Sequence, residues 1–164
     1  MRSLQAALTL ANQALAWLAG VLLFMMMLVV SADIGMRLLG RPMAGSYEII
    51  GWLSAGAMAL SLGYVQLHRG HVAMTLVSAR LGGRSALVLS GLTDLIAMLL
   101  FLFVSWFVFQ YAWTLFTAGS LSETLLAPVY PWVMLVGLGC AGLTLVLLLN
   151  VFQTVSQLWQ GPSA

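Results

Sequence analysis

The sequence predicts an all-α integral membrane protein with four transmembrane helices and a short interfacial amphipathic helix between helices 2 and 3. Three observations predict it. Of 164 residues, 62% are hydrophobic and 6% charged, where a soluble domain carries about 25% charged residues. A soluble chain of this length has no interior large enough for so much apolar surface, so lipid is its natural solvent. The charges also gather at the ends of apolar runs. From Ile49 to His68 there is no formal charge if His68 is neutral, and about 20 apolar residues at about 1.5 Å rise cross a core of about 30 Å. Residues 1–164 read as a single membrane domain folded as one compact bundle, with spans at about 14–38, 48–68, 86–116 and 131–155.

Helix 1 is an apolar run that no proline interrupts, with Trp17 near its outer end, where an amphipathic ring suits the membrane interface. Arg2 and the small residues Val30-Ser31-Ala32 resemble parts of a cleavable leader. The uncharged run from Ser3 to Ala32 is too long for an ordinary leader core, so it reads as an uncleaved first helix. Asp33 and Arg37 stand i, i+4 at the end of the helix and can pair on one face. Gly40-Arg41-Pro42 stops it.

Ser46 is placed to cap helix 2, with Glu48 in its first turn, where an acid complements the helix dipole. Gly51, Ala55, Ala59 and Gly63 then recur every four residues. Small residues let helix backbones approach closely in lipid. This packing face serves either a neighbouring helix of the same chain or a partner subunit.

His68-Arg69-Gly70-His71 closes helix 2. Two histidines at one helix end, with no Cys or acid at ligand spacing, do not make a metal or haem site. The stretch 72–81 is too short to span and mixes Val72, Leu76 and Val77 with Thr75, Ser78 and Arg80, as a helix lying along the headgroups does. Gly82-Gly83-Arg84 breaks it. Helix 3 is aromatic-rich and apolar all round. Its Asp94 is either a functional intramembrane acid or, as its distance from Arg84 favours, an interfacial residue on a long helix. A loop with Glu123 and no basic residue leads to Pro128 and Pro131, which open helix 4. Trp132 and Trp159 bracket that helix, and Gly137, Gly139 and Gly142 give it a second small-residue face.

Several chemistries are excluded. The six basic residues are all arginine and are scattered, so nucleic-acid binding has no footprint. The single cysteine, Cys140, forms no intrachain disulfide. No nucleophile has an evident base, so no catalytic residue is expected, and no cofactor or metal. With four spans, Arg2, Arg69, Arg80 and Arg84 share one side and Arg37 and Arg41 the other. The positive-inside rule then puts both termini in the cytoplasm. No span shows the ionisable or broken-helix midplane of a coupled transporter, so the chain reads as a partner subunit and not as a transporter acting alone.

Taken together, Asp33-Ile34-Gly35-Met36-Arg37 with Gly40-Arg41-Pro42, then Ser46-Tyr47-Glu48, then Arg69-Gly70-His71-Val72, then Ser122 to Pro128 ahead of Gly137 and Gly139, resemble a known family. The family is the small membrane (DctQ-like) subunit of tripartite ATP-independent periplasmic, or TRAP, transporters. The resemblance runs from about Leu15 to Val155. It departs at Val136, where many members carry proline, and at Ala73-Met74-Thr75, where an acid often follows the histidine.

The resemblance implies a small permease subunit of a sodium-coupled transporter for organic-acid uptake in the bacterial inner membrane. Its partners would be a large (DctM-like) membrane subunit that carries the substrate and sodium sites, a periplasmic solute-binding protein, and membrane lipids. On this reading Asp33, Arg37, Arg41, Glu48 and Glu123 are candidates for a subunit ion pair or for docking the binding protein. The competing reading of Asp33, Arg37 and Glu48 is that they tie the first loop together, while Arg41 has no obvious local partner. The alternative function is a self-sufficient homodimeric exporter of small molecules or ions. That resembles a shorter chain with an acid embedded in helix 1, whereas here helix 1 is uncharged until Asp33.

Overall fold

The computed structural model describes residues 2–67 and 83–160. These form four helices, α1 (Arg2–Leu38), α2 (Ser46–Leu67), α3 (Gly83–Thr117) and α4 (Tyr130–Gln160). All four are long and apolar enough to cross a membrane. The interfacial helix expected over 72–81, and the His68 to His71 segment before it, lie outside the described residues.

Helix ends follow the local chemistry. α1 closes with a pair of bonds in which Arg41 N donates to the Met36 carbonyl at 3.0 Å and Gly40 N donates to the Arg37 carbonyl at 3.0 Å. That pattern needs a left-handed residue after the helix, and Gly40 supplies it with φ 73°. α3 ends the same way, Ser120 N on Leu115 O and Gly119 N on Phe116 O. The start of α2 differs from the expectation for Ser46. The first helical acceptor is the Gly45 carbonyl, which takes the Ile49 amide at 3.2 Å. Ser46 Oγ is buried on the side of Asp33, at best a marginal hydrogen-bond donor to it, and does not cap the helix. Gly45 holds the position because its φ is +77° and because an added Cβ would lie 2.5 Å from Leu125 Cγ.

The helices do not close into the compact bundle that chain length alone implies. α1 packs on α2, α2 on α4 and α4 on α3, while α1 reaches α4 at only a few residues. Among the described residues α3 touches neither α1 nor α2. The order across the molecule is therefore α1–α2–α4–α3, an open row. In the most apolar stretch of α1 and of α3, 6% is buried within the chain, against 33% for α2 and 39% for α4.

Small residues set this order. At Gly139 a Cβ would run into the backbone carbonyl of Ala59, so the α2 and α4 backbones touch there. At Gly56 it would sit 2.8 Å from Leu135 Cδ2 and 3.2 Å from Leu22 Cδ1. Ala19, Ala57 and Leu60 form the centre of the core, with Leu15, Leu22 and Leu135 against them. Gly137 faces the Phe109 ring of α3, and Ser105 Oγ donates to the Gly137 carbonyl at 3.3 Å.

The expected ridge Gly51, Ala55, Ala59, Gly63 divides. Ala59 and Gly63 are buried against the rest of the chain, and Gly51 and Ala55 are exposed. The reason is helical drift. Each step of four residues advances about 40° beyond a full turn, so three steps rotate the ridge by about 120°. Gly56 and Ala57 take the intrachain place instead.

A polar residue pins the other end of the row. Asn12 is 2% exposed and its Nδ2 donates to the Leu8 carbonyl at 3.0 Å. Its Oδ1 occupies the space that a side chain on Gly63 would need, and Gly142 of α4 lies beside it. Asn12 thereby marks the place where α1, α2 and α4 converge.

Gly139→Ala is expected to cost about 1–3 kcal/mol by overpacking, read as a lower midpoint for thermal exposure of the buried Cys140 thiol in detergent. Gly51→Ala, which points into open space, is expected to leave that midpoint unchanged or slightly raised.

Candidate functional site

The charged residues that the sequence singles out come together at one end of the row, where α1 and α3 finish and α2 and α4 begin. The loops 39–45 and 118–129 lie side by side there. Two networks hold them.

The first ties α1 to the loop after it. Arg37 Nε donates to Asp33 Oδ2 at 2.8 Å. Asp33 is buried, and its other oxygen accepts the Met43 amide at 3.2 Å. Arg37 Nη2 donates to the Tyr47 hydroxyl at 3.0 Å, and its guanidinium lies 5.3 Å from the centre of the Tyr47 ring, within range of a cation–π contact. One carboxylate thus fixes both the arginine and the path of the loop. The arginine in turn holds the first turn of α2.

The second network joins the two loops. Glu48 Oε1 accepts the Thr124 amide at 2.9 Å and Oε2 accepts the Leu125 amide at 3.3 Å. The bound loop is closed on itself, with Ser122 N donating to Ala127 O at 2.9 Å, Ala127 N donating to Ser122 Oγ at 3.4 Å and an isolated bridge between Leu121 and Pro128. Leu125 packs on Gly45, and Leu126 adopts φ 52°. A leucine in that left-handed region is held there by its surroundings. Below the loops, the Trp52 and Trp132 rings stack at 5.7 Å, and Phe116 meets Tyr130 edge-on at 5.1 Å. These rings brace α2 on α4 and α3 on α4.

The expected candidates therefore separate. Asp33, Arg37 and Glu48 are engaged within the chain. Glu48 ties α2 to the second loop, a contact that spacing could not reveal because its partners lie in another loop of the chain. Arg41 and Glu123 are exposed, and their side chains make no hydrogen bond or ion pair with a described residue. Asp94 lies away from this end on α3 and is half-buried. Sequence reasoning missed Tyr47 as the partner of Arg37, and also Asn12, whose only signal is an amide inside an apolar run. Among the described residues no group of His, Cys, Asp or Glu is arranged to hold a metal ion.

A family model described as "Tripartite ATP-independent periplasmic transporters, DctQ component" matches residues 26–157. No curated protein and no solved structure matches the chain significantly.

Glu48→Ala removes both acceptors from the second loop. Amide hydrogen exchange at Thr124 and Leu125 is expected to speed about tenfold or more, a loss of local protection, while Glu123→Ala leaves it unchanged.

Proposed function

The chain belongs to the DctQ component family of TRAP transporters, and from that premise we propose that it scaffolds a large transport subunit and helps to dock a periplasmic solute-binding protein. The chain is a small permease subunit of a TRAP transporter, a multi-pass inner-membrane protein that associates with the other components. We read the transporter as a sodium-coupled uptake system for organic acids, with the substrate and sodium sites on the large subunit.

The observation that supports a scaffold role most directly is the open row. Few residues in the apolar stretches of α1 and α3 are buried within the chain. A self-sufficient exporter needs an acid embedded in the first span. Here the acid of α1 is Asp33, near the helix end and paired with Arg37.

We place the networked end, with loops 39–45 and 118–129, on the periplasmic side. The arginine distribution supports this orientation, with both termini cytoplasmic. Arg41 and Glu123 would then face the binding protein as uncommitted charges of opposite sign on a loop platform already braced from within. Asp33, Arg37 and Glu48 act as the brace.

The testing experiment is purification from detergent-solubilised native membranes through a C-terminal tag. A much larger, many-span membrane protein is expected to co-purify; isolation of the chain as a homodimer would overturn the proposal. In proteoliposomes holding both membrane subunits, Arg41→Glu is expected to lower uptake several-fold at limiting binding protein. The effect should shrink at high ionic strength, as for a charge at the rim of an interface, and co-purification of the large subunit should be unchanged.

A further inference from the structure

The two flanks of the row, α1 and α3, expose similar amounts of apolar surface, but their polar groups differ. Along α3 the residues Ile96, Leu99, Phe103, Trp106, Gln110 and Trp113 recur at alternating steps of three and four. This is the spacing of a helix–helix seam. It lies roughly 130° around the helix from Ser105 and Ala112, which are buried against the rest of the chain at 6% and 0% exposure. The seam is turned outward, with Phe103, Trp106 and Trp113 each more than 60% exposed.

Three of its members, Trp106, Gln110 and Trp113, carry hydrogen-bonding groups, and Trp113 lies at the interfacial end of the span. The hydroxyls of Thr93, Thr114 and Thr117 bond back to carbonyls of α3 itself. The Gln110 amide and the Trp106 indole make no hydrogen bond with any described residue. The apolar span of α3, Val88–Thr117, has 30 residues. Centred on a hydrocarbon core of about 30 Å, it puts Trp106 about 5 Å and Gln110 about 11 Å from the midplane. Side chains on a helix lean towards its N-terminus. For these two residues that direction runs back across the bilayer, away from the nearer water. Trp17 and Gln13 on α1 are also exposed, but they lie in the N-terminal half of their span and lean towards the nearer boundary, and the exposed Ser31 hydroxyl is short enough to bond to a carbonyl of its own helix. Lipid tails offer no acceptor or donor to the α3 pair.

We propose that this seam of α3 is the docking face for a transmembrane helix of the large membrane subunit, and that the docked helix carries a polar side chain that hydrogen-bonds to the Gln110 amide. The assignment rests on the accessory-subunit reading above and names the face and the chemistry of the contact. Lipid satisfies a flank whose polar groups reach the interface or their own helix, whereas a flank with an amide held within the hydrocarbon requires protein. Trp106, one turn below Gln110, adds a wide flat surface and a second donor.

The test places a photo-crosslinking p-benzoylphenylalanine at Trp106 or, as a control on the other flank, at Phe24, in the complex as it exists in membranes. Capture of the large subunit from Trp106 and not from Phe24 is the expected result. Capture from Phe24 alone, or capture of a second copy of this chain from Trp106, overturns the seam while leaving the accessory-subunit reading intact if the large subunit still co-purifies. Failure of the large subunit to co-purify with the unmodified chain overturns both. Gln110→Leu supplies a second measurement. It is expected to weaken retention of the large subunit by about three- to thirty-fold, the range for one interhelical hydrogen bond in a membrane. It should leave the thermal midpoint of the isolated chain unchanged or raised, because the amide has no partner there. A lower midpoint with full retention would show a structural role within the chain and overturn the proposal.

Discussion

Direct backbone contact between α2 and α4 holds the molecule together. Lipid tails are as apolar as leucine, so burial of greasy surface gives little drive for one helix to choose another. What remains is close approach, and Gly139 against Ala59 provides it. From that contact the rest follows in sequence. α1 is positioned on α2 through Gly56 and Asn12, and α3 on α4 through Gly137 and the Ser105 hydrogen bond. A bulky residue at any of these glycines would push apart helices that have no hydrophobic collapse to bring them back.

The paired loops solve a second problem with the same economy. Each loop must leave the membrane, turn and re-enter within a few residues, and its backbone amides need acceptors where water is partly excluded. Asp33 and Glu48 supply them. Each carboxylate accepts backbone hydrogen from a loop, and each sits within a turn or so of a helix end, so a short side chain can reach. The charges that look like candidates for recognition are in large part the fasteners of the turns. Arg41 and Glu123 remain outside those bonds.

The four spanning helices were legible in the sequence because hydropathy in a membrane is a nearly one-dimensional code. A run is long and apolar enough or it is not, and charges fall at the ends. The Asp33–Arg37 pair was legible for a similar reason, since i, i+4 spacing is local. The open row was not legible, because every apolar side chain is equally content against lipid or protein. Glu48 was legible as a first-turn acid but not as the clasp of a loop more than seventy residues away. The small-residue ridge was half legible. Its spacing of four is close to the helical repeat but not equal to it, so Gly51 and Ala55 turned out of the contact that Ala59 and Gly63 make.

A single row of helices also has a long outline for its mass. Seen down the membrane normal it is a fence and not a post, so it is bordered by more annular lipid than a closed bundle of the same four helices would be. Each lipid in that border must match the height of the fence. A neighbour that covers one side returns a line of such lipids to the bulk bilayer, and the gain depends on how poorly they fitted. The thickness and composition of the surrounding membrane therefore become a term in the assembly of the complex, set by the outline of the chain before any specific contact is made.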